Sequence, residues 1–376
     1  MGSRHHRLGV DCLAAALITT AGLSAQAPVF IPQPQVTVEA NPVSFTLGNF
    51  IGNGKLDLVT ANRGASTLTL ERGLGNGYFQ PQSNLKVGQG PLVVAQGDFN
   101  SDGKLDLVTA NFIANNITVL LGTGDGAFVR YPSLNASGPS SIAVGDFNAD
   151  GKLDLAVAET NSNRIAIFLG NGNGTFYQYF QSTVGDRPMS IAAADFNGDG
   201  KLDLAVADTN SNNVSVLLGN GNGAFQQPRY FAAGQLPVFI AVGDFDGDGK
   251  QDLVVANNTG FRESAVSVLR GLGDGSFLTP LTFPVASGAS ALAVADFNLD
   301  GKLDVAAANT GSNTVSLLLG IGDGTFEQPV DIGVGSGPAW MGVADLNGDG
   351  KPDLLVANSL SNTVSVLING TSRLAK

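Results

Sequence analysis

From residue 42 onward, short runs of alternating apolar and polar positions follow one another in an order that returns along the chain. In the unit Pro237–Phe283, VFIAVGDF alternates into a first strand, an acidic stretch turns the chain, and DLVVAN (Asp252–Asn257) makes a second strand. A polar turn leads into AVSVLRG as a third strand, and the glycine turn GLGDG into SFLTPLTF as a fourth. Short runs rich in β-branched and aromatic residues, separated by Gly, Asn and Asp, predict antiparallel strands joined by tight turns. No stretch after residue 27 carries a capped helical period, so no helix is expected.

The acidic stretch marks the repeat. It reads DFNSDGKLD (Asp98–Asp106), DFNADGKLD (Asp146–Asp154), DFNGDGKLD (Asp195–Asp203), DFDGDGKQD (Asp244–Asp252), DFNLDGKLD (Asp296–Asp304) and DLNGDGKPD (Asp345–Asp353), with a degenerate copy, NFIGNGKLD, from Asn49. Successive starts lie 49, 48, 49, 49, 52 and 49 residues apart. A period held this closely belongs to units that bury their apolar faces only against one another. Seven units of four strands predict an all-β fold, a seven-bladed β-propeller; a β-solenoid is the rival.

The two ends predict how the ring closes. In five of six repeats the Phe after the glycine turn lies 19 residues before the next acidic loop, and Phe30 lies 19 residues before Asn49. The last repeat stops after its third strand, TVSVLI, with no glycine turn. An N-terminal strand around Phe30–Val38 is therefore expected to complete the last blade and remove two open edges.

Residues 1–27 resemble an export signal: basic MGSRHHR, apolar CLAAALITTAGL, then small residues up to Ala25-Gln26-Ala27. Cleavage after Ala25 or Ala27 would leave the propeller at 28–370 and a short tail at 371–376, in a secreted, periplasmic or cell-surface protein. The segment takes with it the only cysteine, Cys12, and both histidines, His5 and His6. Without them no Ser-His or Cys-His nucleophile and no thiolate or imidazole zinc site can form. Losing Arg4, Arg7 and Asp11 leaves 18 basic against 31 acidic side chains, a net charge of −13. That balance disfavours nucleic acid and anionic membranes as partners, and no run is apolar and long enough to span a bilayer. A monomer is expected.

The acidic loops have the donor pattern of a hard cation. The spacing D-x-N/D-x-D-G-x-x-D places side-chain oxygens at loop positions one, three, five and nine. These are Asp98, Asn100, Asp102 and Asp106; Asp146, Asn148, Asp150 and Asp154; Asp195, Asn197, Asp199 and Asp203; Asp244, Asp246, Asp248 and Asp252; Asp296, Asn298, Asp300 and Asp304; and Asp345, Asn347, Asp349 and Asp353. Position seven, always lysine (Lys104, Lys152, Lys201, Lys250, Lys302 and Lys351), adds its backbone carbonyl. An all-oxygen set suits Ca²⁺. Six ions would offset most of the net charge. In the first loop Asn49 and Asn53 are neutral and Ile51 cannot ligate, so that site is read as vestigial.

Glycine turn, Phe, variable strand and acidic loop, in register over residues 28–369, together resemble the FG-GAP repeat of integrin α-subunit propellers and many secreted bacterial proteins. The resemblance implies Ca²⁺ between first and second strands and ligand recognition on the opposite face, for adhesion or for carbohydrate. On that face lie the variable turns Asn62–Ser66, Asn111–Asn116, Glu159–Arg164, Asp208–Asn213, Asn257–Ser264, Asn309–Thr314 and Asn358–Thr363. The fifth is lengthened around Phe261, Arg262 and Glu263, and the first strands bring Phe239 and Trp340 to the same end. These five are the candidate ligand residues, with packing between blades as the alternative for the two aromatics. Glu159 and Asp208 read as ordinary polar turn residues. The expected function is a non-catalytic, calcium-stabilised module binding an extracellular carbohydrate or protein. The alternatives are a polysaccharide-active enzyme working without His or Cys, and a purely structural envelope protein.

Overall fold

A computed structural model describes residues 27–260 and 264–372. The export segment expected over residues 1–27 lies, but for Ala27, outside them, as do Phe261, Arg262, Glu263 and the tail from residue 373. The described residues contain no helix, and so none long and apolar enough to cross a membrane.

Seven antiparallel sheets stand radially, six of them running in chain order from the axis outward and the seventh taking its outer strands from the N-terminus. In blade three the strands are Pro139–Gly145, Asp154–Glu159, Arg164–Gly170 and Phe176–Thr183. First strands of successive blades adjoin all the way round, including the last against the first. Every second strand, from Asp57–Asn62 to Asp353–Asn358, is buried along its whole length. Such a strand has a neighbouring blade on both faces, which is why these strands are built from Leu, Val, Ala and Thr.

The seams repeat too. The Phe at loop position two packs edge-on against the glycine-turn Phe of the next blade, as in Phe99–Phe176, with centroids 5.5 Å apart, and Phe147–Phe225 at 5.9 Å. Each such pair contributes roughly 0.5–1.5 kcal/mol beyond its buried area. Beside it, the glycine turn donates a backbone N–H to the preceding loop, as Gly174 N does to Phe99 O at 2.9 Å.

Blade seven is closed as its missing strand requires. Phe30–Pro32 and Val36–Thr37 both pair antiparallel with Thr363–Asn369. Phe30 meets Phe297 at 5.8 Å, taking the place of a glycine-turn Phe. Among the described residues no glycine turn reaches Phe297 O; Asn369 Nδ2 donates to it instead, at 2.9 Å. The packed body runs on to Thr371, which is buried and accepts the N–H of Val29.

One strand boundary departs from expectation. In blades four, five and six the fourth run is broken: Phe225, Phe277 and Phe326 form single bridges, and the outer strands begin only at Arg229, Leu281 and Val330. Pro228, Pro280 and Pro329 precede them, and a proline has no N–H for the ladder.

Candidate metal loops and ligand face

Each acidic loop is folded by its own carboxylates. In blade two Asp98 accepts the N–H groups of Asp102 and Gly103 at 3.1 and 2.8 Å, and Asn100 Oδ1 also accepts that of Asp102. Position six sits at positive φ, +80° at Gly103, which only glycine adopts without strain. The same bonds recur in the other five complete loops. Blade one keeps the shape with amides: Asn49 Oδ1 accepts from Gly54 N and Asn53 Oδ1 from Lys55 N.

The Asp at position nine has a second role. All seven, Asp57 included, are fully buried, and each carboxylate clamps at least two backbone N–H groups, three at Asp57 and Asp304. Asp203 Oδ2 accepts from Phe196 at 2.9 Å and Oδ1 from Gly219 at 2.7 Å, tying the loop to the end of the third strand. Blade one retains this clamp, from Phe50 and Gly73 to Asp57, although its loop has lost its charges. Burial pushes the position-nine carboxyls of the six complete loops up, Asp252 to about 6 and Asp304 to about 7, and neighbouring loop carboxylates add to the effect.

In blade five, carboxylate oxygens of Asp244, Asp246 and Asp252 lie within 4.8 Å of one another. Three acidic groups converging with only oxygen donors fit a hard divalent cation, and positions one, three, five and nine would hold it with the carbonyl of position seven. Asn at position three leaves the other complete loops with carboxylates at positions one, five and nine. The lysine side chain also takes part. Lys250 Nζ meets Asp248 at 2.8 Å, its hydrogen bond holding that carboxyl below its usual range, and Lys104, Lys152, Lys201 and Lys351 pair likewise at 3.2–3.7 Å.

At the opposite end Phe239 and Trp340 are brought together. Their rings meet edge-on at 5.2 Å, beside an axial cavity of about 150 Å³ to which every blade contributes. Trp340, from blade seven, also packs against the core between blades two and three. Both aromatics therefore engage packing partners at the axis. Phe261, Arg262 and Glu263 lie outside the described residues. Beside that segment a cleft of about 890 Å³ is lined by Gln235, Asn257, Ser264, Thr282 and Pro284, among others.

The model of the FG-GAP-like repeat matches residues 49–109, 98–157, 146–206, 195–255, 244–307 and 296–356. The chain belongs to this family. No curated protein matches the FG-GAP-like chain. Among solved structures, it is similar to BBS1N in complex with ARL6DN, at TM-score 0.65 and 14% identity over 93% of this chain and 99% of that one. It is also similar to a putative 6-phosphogluconolactonase from Bacteroides uniformis, at TM-score 0.64 and 16% identity over 81% and 89% of the two chains. A third is virginiamycin B lyase from Staphylococcus aureus, at TM-score 0.61 and 16% identity over 90% and 99%. At such identities these likenesses concern the fold alone.

The FG-GAP-like blades also share a feature at the end opposite the acidic loops, where the sequence expectation for two residues fails. Glu159 and Asp208 are not exposed turn residues but buried ends of second strands, 3% and 0% exposed. They stand where other blades have Asn62, Asn111, Asn257, Asn309 and Asn358, opposite the residue that opens each first strand, proline in every blade but the sixth, which has Ala289, and beneath the incoming connection. Glu159 is satisfied by Ser137 N and Ser162 Oγ. Asp208 accepts from Ser215 Oγ at 2.5 Å, but its Oδ1 has no partner.

Burial pushes the Asp208 carboxyl up to about 7 despite that bond. Unfolded, it titrates near 4, so between about pH 4 and pH 7 the folded chain holds the extra proton. This group's contribution to stability therefore falls as pH rises through that window and levels off above it. Asp208→Asn, matching five other blades, is expected to stabilise the protein by on the order of a few kcal/mol at pH 8 and by little at pH 4. Urea melts of both forms at the two pH values check this; equal differences at both would refute it.

Proposed function

We propose that this FG-GAP-like propeller is an exported, calcium-loaded binding module that recognises an extracellular carbohydrate or protein on the face opposite its acidic loops. The observation that carries the reading is the division of labour between the ends. One end holds converging carboxylates in repeated, self-folded loops; the other holds a cleft lined by amides and hydroxyls, the groups that hydrogen-bond sugar hydroxyls or peptide backbone. A protein ligand has a parallel in the BBS1N structure, which is a complex.

A catalytic reading has less behind it. The virginiamycin B lyase becomes catalytically inactive when one histidine is replaced by alanine, and the histidines of this chain are His5 and His6, in the proposed export segment. Glycan-array and surface-protein screens of residues 28–376 test the reading. Binding of an unmodified ligand is expected, with Gln235→Ala and Thr282→Ala each weakening it about tenfold, the loss of one or two hydrogen bonds. Product formation from a bound glycan would replace the module with an enzyme, and unchanged affinity in both variants would move the site elsewhere.

A further inference from the structure

At one core position of the third strand six blades carry Leu or Phe: Leu120, Phe168, Leu217, Leu269, Leu318 and Leu367. Each pairs with the second residue of the neighbouring second strand, and in blade one the residue paired with Leu58 in this register is Glu71. Glu71 is 1% exposed, and its Oε2 has no hydrogen-bond partner. It borders a cavity of about 270 Å³ between blade one and the N-terminal segment that closes blade seven. That segment contributes Glu39, whose carboxylate is held by Thr67 Oγ1 and, at 2.8 Å, by Asn84 Nδ2. Ser83 Oγ, also on the lining, is a second buried group without a partner.

Two carboxyl groups thus face one cavity, and no Lys or Arg is among the residues lining it. A buried carboxylate needs a counter-charge or a proton, and leucine in the other blades meets the packing requirement without either. We propose that this cavity is a divalent-cation site at the closing seam, with Glu71 and Glu39 as its carboxylate ligands and Ser83 Oγ as a third oxygen donor. Oxygen-only donors and room for water in the remaining coordination positions select Ca²⁺ among common divalent ions. A bound ion ties Glu39, on the closing segment, to the third strand of blade one, so it acts as a lock on the seam.

The site does not depend on the loops being metal sites, and ion counting separates the two. Native mass spectrometry in excess Ca²⁺ is run on the full chain and on Glu71→Leu, Glu71→Gln and the loop variant Asp199→Ala. Glu71→Leu and Glu71→Gln should each bind one ion fewer than the unmodified protein, whatever the number held by the loops. Melting of Glu71→Leu in EDTA should be no lower than that of the unmodified protein, because leucine is what other blades carry there. Ion counts unchanged in both Glu71 variants overturn the proposal and leave Glu71 a buried protonated acid. A count lowered only by Asp199→Ala overturns it equally.

Discussion

Removing residues 28–40 is expected to destroy the closed ring. The deletion takes away both short strands paired with Thr363–Asn369, the Phe30–Phe297 contact and the buried Val38. Burial of two such apolar side chains is worth about 2 kcal/mol each, and every lost ladder bond about 1 kcal/mol more. Together these losses reach several kcal/mol, comparable with the whole stability of an ordinary domain, about 5–15 kcal/mol. The edge left behind, TVSVLIN, is apolar, rich in β-branched residues and unpaired, the kind of strand that recruits a second chain. The truncated protein should elute as oligomers or aggregate, and a synthetic peptide of residues 28–40 should restore monomer by adding back the strand. Melting and elution identical to the full-length protein would mean that closure lies elsewhere. Phe30→Ala is the milder form of the test, with an expected loss of about 2 kcal/mol.

That closing strand could be read from the sequence because it obeys the same spacing as the internal repeats: Phe30 to Asn49 is one more instance of a 19-residue interval. Periodicity makes the strands, the seams and the acidic loops legible, since each is tested several times within one chain. What escapes is whatever depends on depth. Asp208 and Glu159 sit among Asn, Ser and Thr and look exposed; the connection that buries them comes from a neighbouring part of the fold, and no local pattern announces it. Phe239 and Trp340 lie five residues before their loops, yet only the ring geometry shows that they meet across the axis. Glu71 did carry a signal, a charge in a column otherwise Leu or Phe, visible once third strands are aligned by register. The ligand stays illegible because the turns that would contact it differ between blades, so repetition teaches nothing about them.

Calcium removal should have the other large effect, and its size can be divided between two roles of the loop carboxylates. At ten times the dissociation constant, which for extracellular modules is roughly 10⁻⁴–10⁻³ M, each occupied site stabilises by about 1.4 kcal/mol. Six widely spaced sites acting additively would contribute about 8 kcal/mol, a difference that a melting curve with and without EDTA cannot miss. A melting temperature indifferent to EDTA would sink the metal reading of the loops. Asp199 and Asp203 separate ligand from clamp. Asp199 is at position five, with its side chain 35% exposed and paired with Lys201, so Asp199→Ala should lose one ion and change little once EDTA is present. Asp203→Ala should lose that ion and also stay destabilised in EDTA, because Phe196 N and Gly219 N are left buried without an acceptor, at about 1–3 kcal/mol each. Blade one supplies the control. Asp57 clamps Phe50 N and Gly73 N in a loop whose other metal positions are Asn49, Ile51 and Asn53. Asp57→Ala should therefore destabilise by a similar amount in EDTA and in Ca²⁺, with the ion count unchanged. If Asp57→Ala is silent while Asp203→Ala is costly only in Ca²⁺, the position-nine carboxylate is a ligand and nothing more.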